Sequence, residues 1–264
     1  MRFRDAVLAA LTSVIWGLAF VATKLGLESF SAAELTALRF LIACLPVLFV
    51  PRPSIAWPRL VAIGLTLFTG QFLLLFFAFK QGMPPGLASV TQQSQAFFTV
   101  LLPAVFLREA PNLRQCIGTM IAFTGLAVIA LTIGGDLTSA ALGLALAGAF
   151  SWAIGNILVK CTAEVPVFPL VVWASLVPPL PALILSAAYD GHVPIVGALA
   201  STSWVTLGAA VYLGTLATFV GYAIWGDLLR RYPAAMVTPF ALLAPCAGFL
   251  SSTLVFGETF EPMR

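Results

Sequence analysis

The stretch LVAIGLTLFTGQFLLLFFAF, residues 60–79, runs for twenty residues without a charged side chain. A run of about 20 apolar residues is long enough to cross the hydrocarbon core of a bilayer as an α-helix. A membrane-spanning β-strand needs only about ten residues, which alternate between apolar and polar positions. The stretch therefore predicts a transmembrane helix.

Similar runs occur along the whole chain. Hydrophobic residues make up 61% of the 264 residues and charged residues only 9%, whereas a soluble domain is roughly half apolar and a quarter charged. Pro, Gly and charged residues divide the sequence into nine candidate helices, at residues 6–23, 35–50, 60–79, 86–107, 115–133, 140–159, 168–188, 204–226 and 234–256. The sequence predicts an all-α polytopic membrane protein.

The basic residues between these helices predict the orientation of the chain. With the N-terminus inside, nine of them lie on the inner side and three, Lys24, Lys80 and Arg264, on the outer side. An excess of Lys and Arg marks cytoplasmic loops. The first helix follows two arginines and is long enough to span, so we expect it to remain as a membrane helix. We predict a multi-pass protein of the bacterial inner (plasma) membrane with a cytoplasmic N-terminus.

Several classes of function are disfavoured by the sequence. The short loops leave no room for a nucleotide-binding or soluble catalytic domain, and no phosphate-cradling glycine loop, HExxH or GxSxG is found. Helix-centre residues offer no nucleophile and base pair and no metal-ligand cluster, which disfavours an intramembrane enzyme. We expect no cofactor, metal or nucleic acid. The expected partners are a small-molecule substrate and the lipid bilayer, with a homodimer left open.

Two segments of the chain echo each other. VIWGLAFVATK, residues 14–24, and FSWAIGNILVK, residues 150–160, both place a Trp eight residues before a Lys. Trp16 and Trp152 lie 136 positions apart, as do the two lysines. A second set is separated by 149 positions: Pro84 with Pro233, and Glu109 with Glu258. Either the chain contains an internal repeat, or apolar helices resemble each other through composition alone.

The repeat interpretation predicts two units of opposite orientation. Five crossings separate corresponding helices, so residues 1–135 (helices one to five) and 136–264 (helices six to nine) form inverted repeats. Inverted repeats are typical of transporters that bind substrate near mid-membrane, where one unit rocks against the other. A ten-helix scaffold is expected, and nine helices are present. We favour truncation, because losing the tenth helix exposes the packing faces of its neighbours. A natural nine-helix variant is the alternative.

The segment SVTQQSQAFFTV, residues 89–100, concentrates amides inside an uncharged run. At about 100° per residue, a continuous helix places Gln92 and Gln95 on one face with Gln93 on its flank, opposite Phe97 and Phe98. Such amides either bond to neighbouring helices or line a polar cavity. Three within four positions favour the cavity, and neutral amides suit a small polar or zwitterionic solute.

Other embedded polar and aromatic residues are further candidates. Arg39 either snorkels to the interface or binds a substrate carboxylate. Rings are commoner as interfacial anchors than as cavity walls, and single amides are commoner in packing than in binding. The remaining candidates are Trp16, Trp152, Tyr222, Gln71 and Asn156. No Asp or Glu lies in the middle of a candidate helix, which favours a facilitator or an exporter driven by the solute gradient. Prolines at residues 178–181 and 239–245 predict kinked helices.

Several motifs resemble the EamA family of the drug/metabolite transporter (DMT) superfamily, and its bacterial exporters of cysteine and O-acetylserine above all. They are WGLAF (residues 16–20), GMPPGLAS (82–89), SQAFFT (94–99), FSWAIGNILVK (150–160) and GYAIWGDLLRRY (221–232). The resemblance implies ten helices in two inverted five-helix repeats. It also implies a secondary transporter that exports small polar amino-acid metabolites by alternating access. Export of other amino acids or metabolites, or a passive facilitator or channel, is the alternative.

Overall fold

A computed structural model describes residues 1–83, 91–106, 138–162, 164–189 and 202–256, with isolated positions between them. Regular structure in these ranges is helical. We label eight helices: α1 Phe3–Gly26, α2 Ala32–Cys44, α3 Trp57–Lys80, α4 Ser94–Phe106, α5 Ser139–Lys160, α6 Val167–Tyr189, α7 Trp204–Arg231 and α8 Ala234–Phe256. Six of them, all except α2 and α4, are long and apolar enough to cross a membrane. The chain is a multi-pass membrane protein.

Some of the predicted features lie outside the described residues. These are most of the fifth predicted helix (residues 115–133), the beginning of the fourth, the boundary between residues 135 and 136, and the echo residues Pro84, Glu109 and Glu258.

Helix starts follow local sequence. Ser31 precedes α2 and accepts a hydrogen bond from the Glu34 N–H at 3.1 Å, while the Glu34 carboxylate accepts one from the Ser31 N–H at 2.8 Å. This reciprocal cap satisfies two backbone donors that the helix leaves unpaired. Thr138 caps α5 with a single bond, in which its hydroxyl accepts from the Ala141 N–H at 3.1 Å. Helices α1 and α5 begin 136 residues apart, which is also the spacing of their tryptophans.

Two helices contain wide π segments that the sequence did not predict. In α3 the π segment is Gly64–Gly70, and in α7 it is Leu213–Val220. The two begin 149 residues apart, the offset that separates the prolines of the second echo. In each, a threonine hydroxyl donates to the carbonyl five residues back, from Thr69 to Gly64 at 3.1 Å and from Thr218 to Leu213 at 2.8 Å. Single π turns inside α-helices are frequent at functional sites.

The proline-rich helices are interrupted, as predicted. Helix α6 consists of Val167–Ala174 and Pro179–Tyr189, with residues 175–178 outside regular helix. Helix α8 contains a 3₁₀ turn, Thr238–Leu242, and resumes as α-helix at Leu243. Proline lacks the N–H that continues the hydrogen-bond ladder and its ring clashes with the preceding turn.

Helix α4 differs from the prediction of one continuous helix over residues 86–107. A turn at Gln93 separates residues 91–92 from the helix that begins at Ser94. The Ser94 hydroxyl donates to the Thr91 carbonyl at 2.7 Å, and such side-chain bonds compete with the helical ladder. The layout that placed Gln92 and Gln95 on one face assumed a continuous helix, and the turn at Gln93 interrupts that helix. Ser94 and Leu243, where α4 and the last part of α8 begin, also lie 149 residues apart.

The two halves of the chain interleave. Helix α1 packs against α7 and α8, α5 packs against α3 and α4, and α2 packs against α6. Among the described residues, the most extensive contacts between different helices all join the first half to the second. The buried centre of the molecule contains the large side chains Trp152, Trp225, Phe40 and Phe68. Each half therefore completes its core with helices of the other.

Candidate substrate-binding site

Four aromatic side chains meet at the centre of the helices, and we call them the aromatic cluster: Trp16 on α1, Trp152 on α5, and Tyr222 and Trp225 on α7. The Trp16 ring centroid lies 5.2 Å from both Tyr222 and Trp225 and 6.2 Å from Trp152. Trp152 and Trp225 are 1% exposed and Tyr222 is 5% exposed. The rings are covered by protein, so the interfacial-anchor interpretation is wrong for these three.

Two polar atoms of the aromatic cluster, on Trp16 and Tyr222, form hydrogen bonds to neighbouring helices. The Trp16 indole N–H donates to the Ala217 carbonyl at 3.0 Å, within the π segment of α7. The Tyr222 hydroxyl donates to Oε1 of Gln71 at 3.3 Å, directly after the π segment of α3. Gly221 permits the close approach of Trp16 to α7, because a Cβ at this position would lie 2.6 Å from the Trp16 indole nitrogen. The aromatic cluster thus spans both π segments.

Arg39 is buried between helices and does not snorkel. It lies seven residues after the start of α2, which is about 10 Å along the helix, and it is only 8% exposed. Its Nε donates to the Thr218 hydroxyl of α7 at 3.0 Å. Its guanidinium carbon lies 4.6 Å from the centroid of the Phe72 ring. Neighbouring helices therefore hold the side chain inside the protein.

The charge of Arg39 has no counter-ion among the described residues. No described carboxylate lies within ion-pair distance of its guanidinium, and no described group accepts a hydrogen bond from its two terminal nitrogens. An arginine stays protonated in proteins, and a charge inside the membrane is costly unless it is paired or functional. A planar guanidinium binds carboxylates through two parallel hydrogen bonds. This geometry suits an anionic group of a substrate.

Arg39 and the aromatic cluster form one connected site, which we call the central site. The ring centroids of Phe40 and Phe68 lie 4.9 Å apart with the planes tilted, and those of Phe68 and Tyr222 lie 5.0 Å apart in an edge-to-face arrangement. Arg39 and Trp16 also bond to consecutive residues of α7, Thr218 and Ala217. The structure thus brings together five of the predicted site residues: Arg39, Gln71, Trp16, Trp152 and Tyr222.

The amide-rich segment lies at the break in α4, and several of its polar atoms are buried without a partner. Gln92 is 8% exposed, and neither atom of its amide has a hydrogen-bond partner among the described residues. The same holds for the Gln95 carbonyl oxygen and the Thr91 hydroxyl. Buried polar groups are normally hydrogen-bonded, so these atoms mark a place for a ligand or water. Gln93 lies in the turn itself.

Asn156 links α4 to the side of α5 that carries Trp152. Its amide nitrogen lies 3.5 Å from the Thr99 hydroxyl, at the long limit of a hydrogen bond. Asn156 follows Trp152 by one helical turn, so the two side chains share a face of α5. Gln95 thus lies on the helix that this contact attaches to the central site, and Gln92 and Gln93 lie just before its start. A direct role of the three glutamines in binding remains a prediction.

Thr218 is the main residue that the sequence did not reveal. Its hydroxyl accepts a hydrogen bond from Arg39 at 3.0 Å. The 149-residue offset pairs it with Thr69 and could have drawn attention to it, since both make the same bond to a carbonyl five residues back. Trp225 belongs to the aromatic cluster as well, and its indole nitrogen is buried without a partner among the described residues.

Comparison with known families gives this site its context. A family model described as "EamA-like transporter family" matches residues 4–131 and again residues 139–264. The chain belongs to the EamA-like transporter family. Because EamA proteins are transporters, the family prediction and the prediction that the chain is not an enzyme are confirmed.

Relatives of this EamA chain carry names of exporters. A Salmonella typhimurium protein named "Probable amino-acid metabolite efflux pump" is 40% identical over 271 residues, which cover 100% of this chain and 91% of the relative. A Streptantibioticus cattleyicolor protein named "Probable terminal-alkyne amino-acid exporter" is 32% identical and covers 100% of this chain and 89% of its own. A crystal structure at 18% identity matches with a TM-score of 0.80 over 99% of this chain and 92% of that chain, which supports the fold alone.

Proposed function

We propose that this EamA chain is a secondary transporter that exports small polar amino-acid metabolites, of the cysteine and O-acetylserine kind, across the inner membrane by alternating access. The observation that carries the proposal is the buried guanidinium of Arg39, which has no counter-ion among the described residues and lies beside the aromatic cluster. The names of two relatives, an amino-acid metabolite efflux pump and an amino-acid exporter, support the same solute class.

The central site offers complementary groups for a zwitterion. The terminal nitrogens of Arg39 bind the carboxylate, and an aromatic face attracts the ammonium through its quadrupole. No described acidic residue lies in the middle of a helix, where it would compete as a counter-ion or bind a proton. The unpaired amide of Gln92 offers one donor and one acceptor to a polar side chain. A small solute with several polar groups uses all of these.

Structural offsets support the inverted repeat on which alternating access depends. Helices α1 and α5 begin 136 residues apart, and the π segments and the restarts of α4 and α8 each lie 149 residues apart. The packing is also reciprocal, since α1 contacts α7 and α8 as α5 contacts α3 and α4. Transporters of this kind form their substrate sites from discontinuous helices at the repeat interface. We therefore retain repeats at 1–135 and 136–264.

The cellular arrangement is proposed from charge. The inner-membrane location and cytoplasmic N-terminus follow from the basic residues of the loops. No described carboxylate lies at a helix centre, which favours export driven by the concentration gradient of the solute. The same observation makes a passive facilitator the second candidate function.

We expect proteoliposomes containing the protein to release labelled cysteine or O-acetylserine faster than protein-free vesicles loaded with the same solute. In the Gln92→Leu variant, loss of about two hydrogen bonds of roughly 1 kcal/mol each lowers kcat/KM by about tenfold or more. Gln81→Leu is the matched control, because Gln81 is exposed at the end of α3. Release equal to that of protein-free vesicles contradicts the proposed solutes. Full activity of both Gln92→Leu and Gln95→Leu would show that these amides serve only in helix packing.

A further inference from the structure

The hydroxyl of Thr218 makes two bonds at once. It donates to the Leu213 carbonyl at 2.8 Å and accepts from Nε of Arg39 at 3.0 Å. Thr218 is fully buried in the π segment of α7. The wide turn of a π segment brings the carbonyl five residues back within reach of the hydroxyl. Because its proton is given to Leu213, the oxygen is oriented to accept from Arg39.

This contact determines how the guanidinium is presented. A guanidinium is planar with donors in a fixed fork, so fixing Nε and the ring contact fixes the direction of the other two nitrogens. Phe72 lies 4.6 Å and Phe40 lies 5.5 Å from the guanidinium carbon. No described group accepts from the two terminal nitrogens. They are left for a ligand.

The π segment of α3, in the first half of the molecule, provides an internal comparison. Thr69 makes the same bond to the carbonyl five residues back, at 3.1 Å, in the π segment of α3. The residue 136 positions after Arg39 is Ser175, which is buried and donates its hydroxyl to the Val171 carbonyl at 2.8 Å. The threonine bond therefore occurs without a cation in one half and with a cation in the other. Stabilising the π turn does not require Arg39.

We propose that Thr218 is a positioning residue, which holds the guanidinium of Arg39 so that its two terminal nitrogens face the carboxylate of the transported solute. This role rests on the proposed function, in which Arg39 binds that carboxylate. Thr218 itself does not touch the solute. It acts through Arg39, and it also couples the bound charge to the π segment of α7.

Thr218→Val keeps the shape of the side chain and removes both bonds. In reconstituted vesicles we expect KM for cysteine to rise about fivefold to tenfold, while kcat changes less than about twofold, because a hydrogen bond to a charged group is lost without loss of the charge. KM for cysteine methyl ester, which lacks the carboxylate, should stay within about twofold. Thr218→Ser restores the hydroxyl and should restore KM for cysteine.

Thr69→Val is the matched control, since it removes the same π-turn bond without touching Arg39. Equal KM changes in Thr69→Val and Thr218→Val, or no rescue by Thr218→Ser, would assign Thr218 a purely structural role and overturn the inference. Arg39→Gln separates the two proposals. If it abolishes the preference for cysteine over its ester while Thr218→Val does not alter that preference, only the positioning role is wrong. If Arg39→Gln leaves the preference intact, the proposed carboxylate site is wrong.

Discussion

Replacing Arg39 with Gln should reduce kcat/KM for a zwitterionic solute by about tenfold to a hundredfold. A hydrogen bond to a charged group contributes about 1.5–3 kcal/mol, and each 1.4 kcal/mol corresponds to about a factor of ten. Arg39 is 8% exposed and its terminal nitrogens have no acceptor among the described residues. A bound carboxylate is therefore expected to lose its main electrostatic partner. Initial rates of labelled cysteine efflux from proteoliposomes measure the effect.

Two comparisons make this result specific. Arg39→Lys keeps the charge without the planar fork, so we expect an intermediate loss. Cysteine methyl ester lacks the anionic carboxylate, and its transport should change little in either variant. The yield of monodisperse, detergent-solubilised protein, compared with that of the wild type, shows whether each variant folds. Wild-type rates for cysteine in a well-folded Arg39→Gln protein contradict a role of Arg39 in substrate binding.

A methyl group added at Gly155 should disrupt the contact between α5 and α3. A Cβ at this position would lie 2.6 Å from the main-chain N and Cα of Leu67, within the π segment of α3. Main chain cannot rotate away as a side chain can, so the two helices must separate. Overpacking of this kind costs about 1–3 kcal/mol. We expect Gly155→Ala to lower the apparent Tm by several degrees in a thermal unfolding assay.

Gly143→Ala is the matched control, because Gly143 lies on the same helix and no atom is within 4 Å of its added Cβ. Its Tm should equal or slightly exceed that of the wild type, since Ala favours a helix over Gly. Equal Tm values for the two variants would show that α5 does not approach α3 as closely as described. A fall in Tm for Gly143→Ala alone would contradict the packing in the same way.

Helix positions could be predicted from the sequence because membrane helices depend on local properties. An uncharged run of about 20 residues must satisfy its own backbone hydrogen bonds in lipid, and a helix does so without distant partners. The predicted helix 140–159 accordingly corresponds to α5, Ser139–Lys160. Helices α1 and α5 begin 136 residues apart, which equals the spacing of Trp16 and Trp152.

The irregular turns could not be predicted, because they depend on contacts between distant parts of the chain. The π segment of α7 is held by Trp16, which donates to Ala217 from 201 residues away. The π segment of α3 receives the Ser151 hydroxyl at the Thr66 carbonyl, across 85 residues. Periodicity assumes about 100° for every residue, so it did not predict the turn that interrupts the helix at Gln93.

The sequence singled out candidate site residues by their type, but it could not show which residues they contact. A lone Arg in a membrane helix is unusual enough to suggest function, so Arg39 could be named as a candidate without structural information. Its contact with Thr218 spans 179 residues and joins α2 to α7, which no local pattern encodes. Trp16, Trp152 and Tyr222 were found for their type, and only the structure shows that their rings meet within 5.2–6.2 Å.

Counterflow in proteoliposomes tests most directly the claim that the protein transports its solute by alternating access. A carrier of this kind reorients faster with solute bound than without it, so solute on the far side speeds uptake. Vesicles are loaded with unlabelled O-acetylserine or cysteine, and the initial uptake of the same labelled solute is measured from outside. We expect uptake to be several-fold faster into loaded vesicles than into empty ones, with the label rising transiently above equilibrium. Uptake that is independent of internal solute would indicate a passive pore, and no uptake above protein-free vesicles would contradict the proposed solutes.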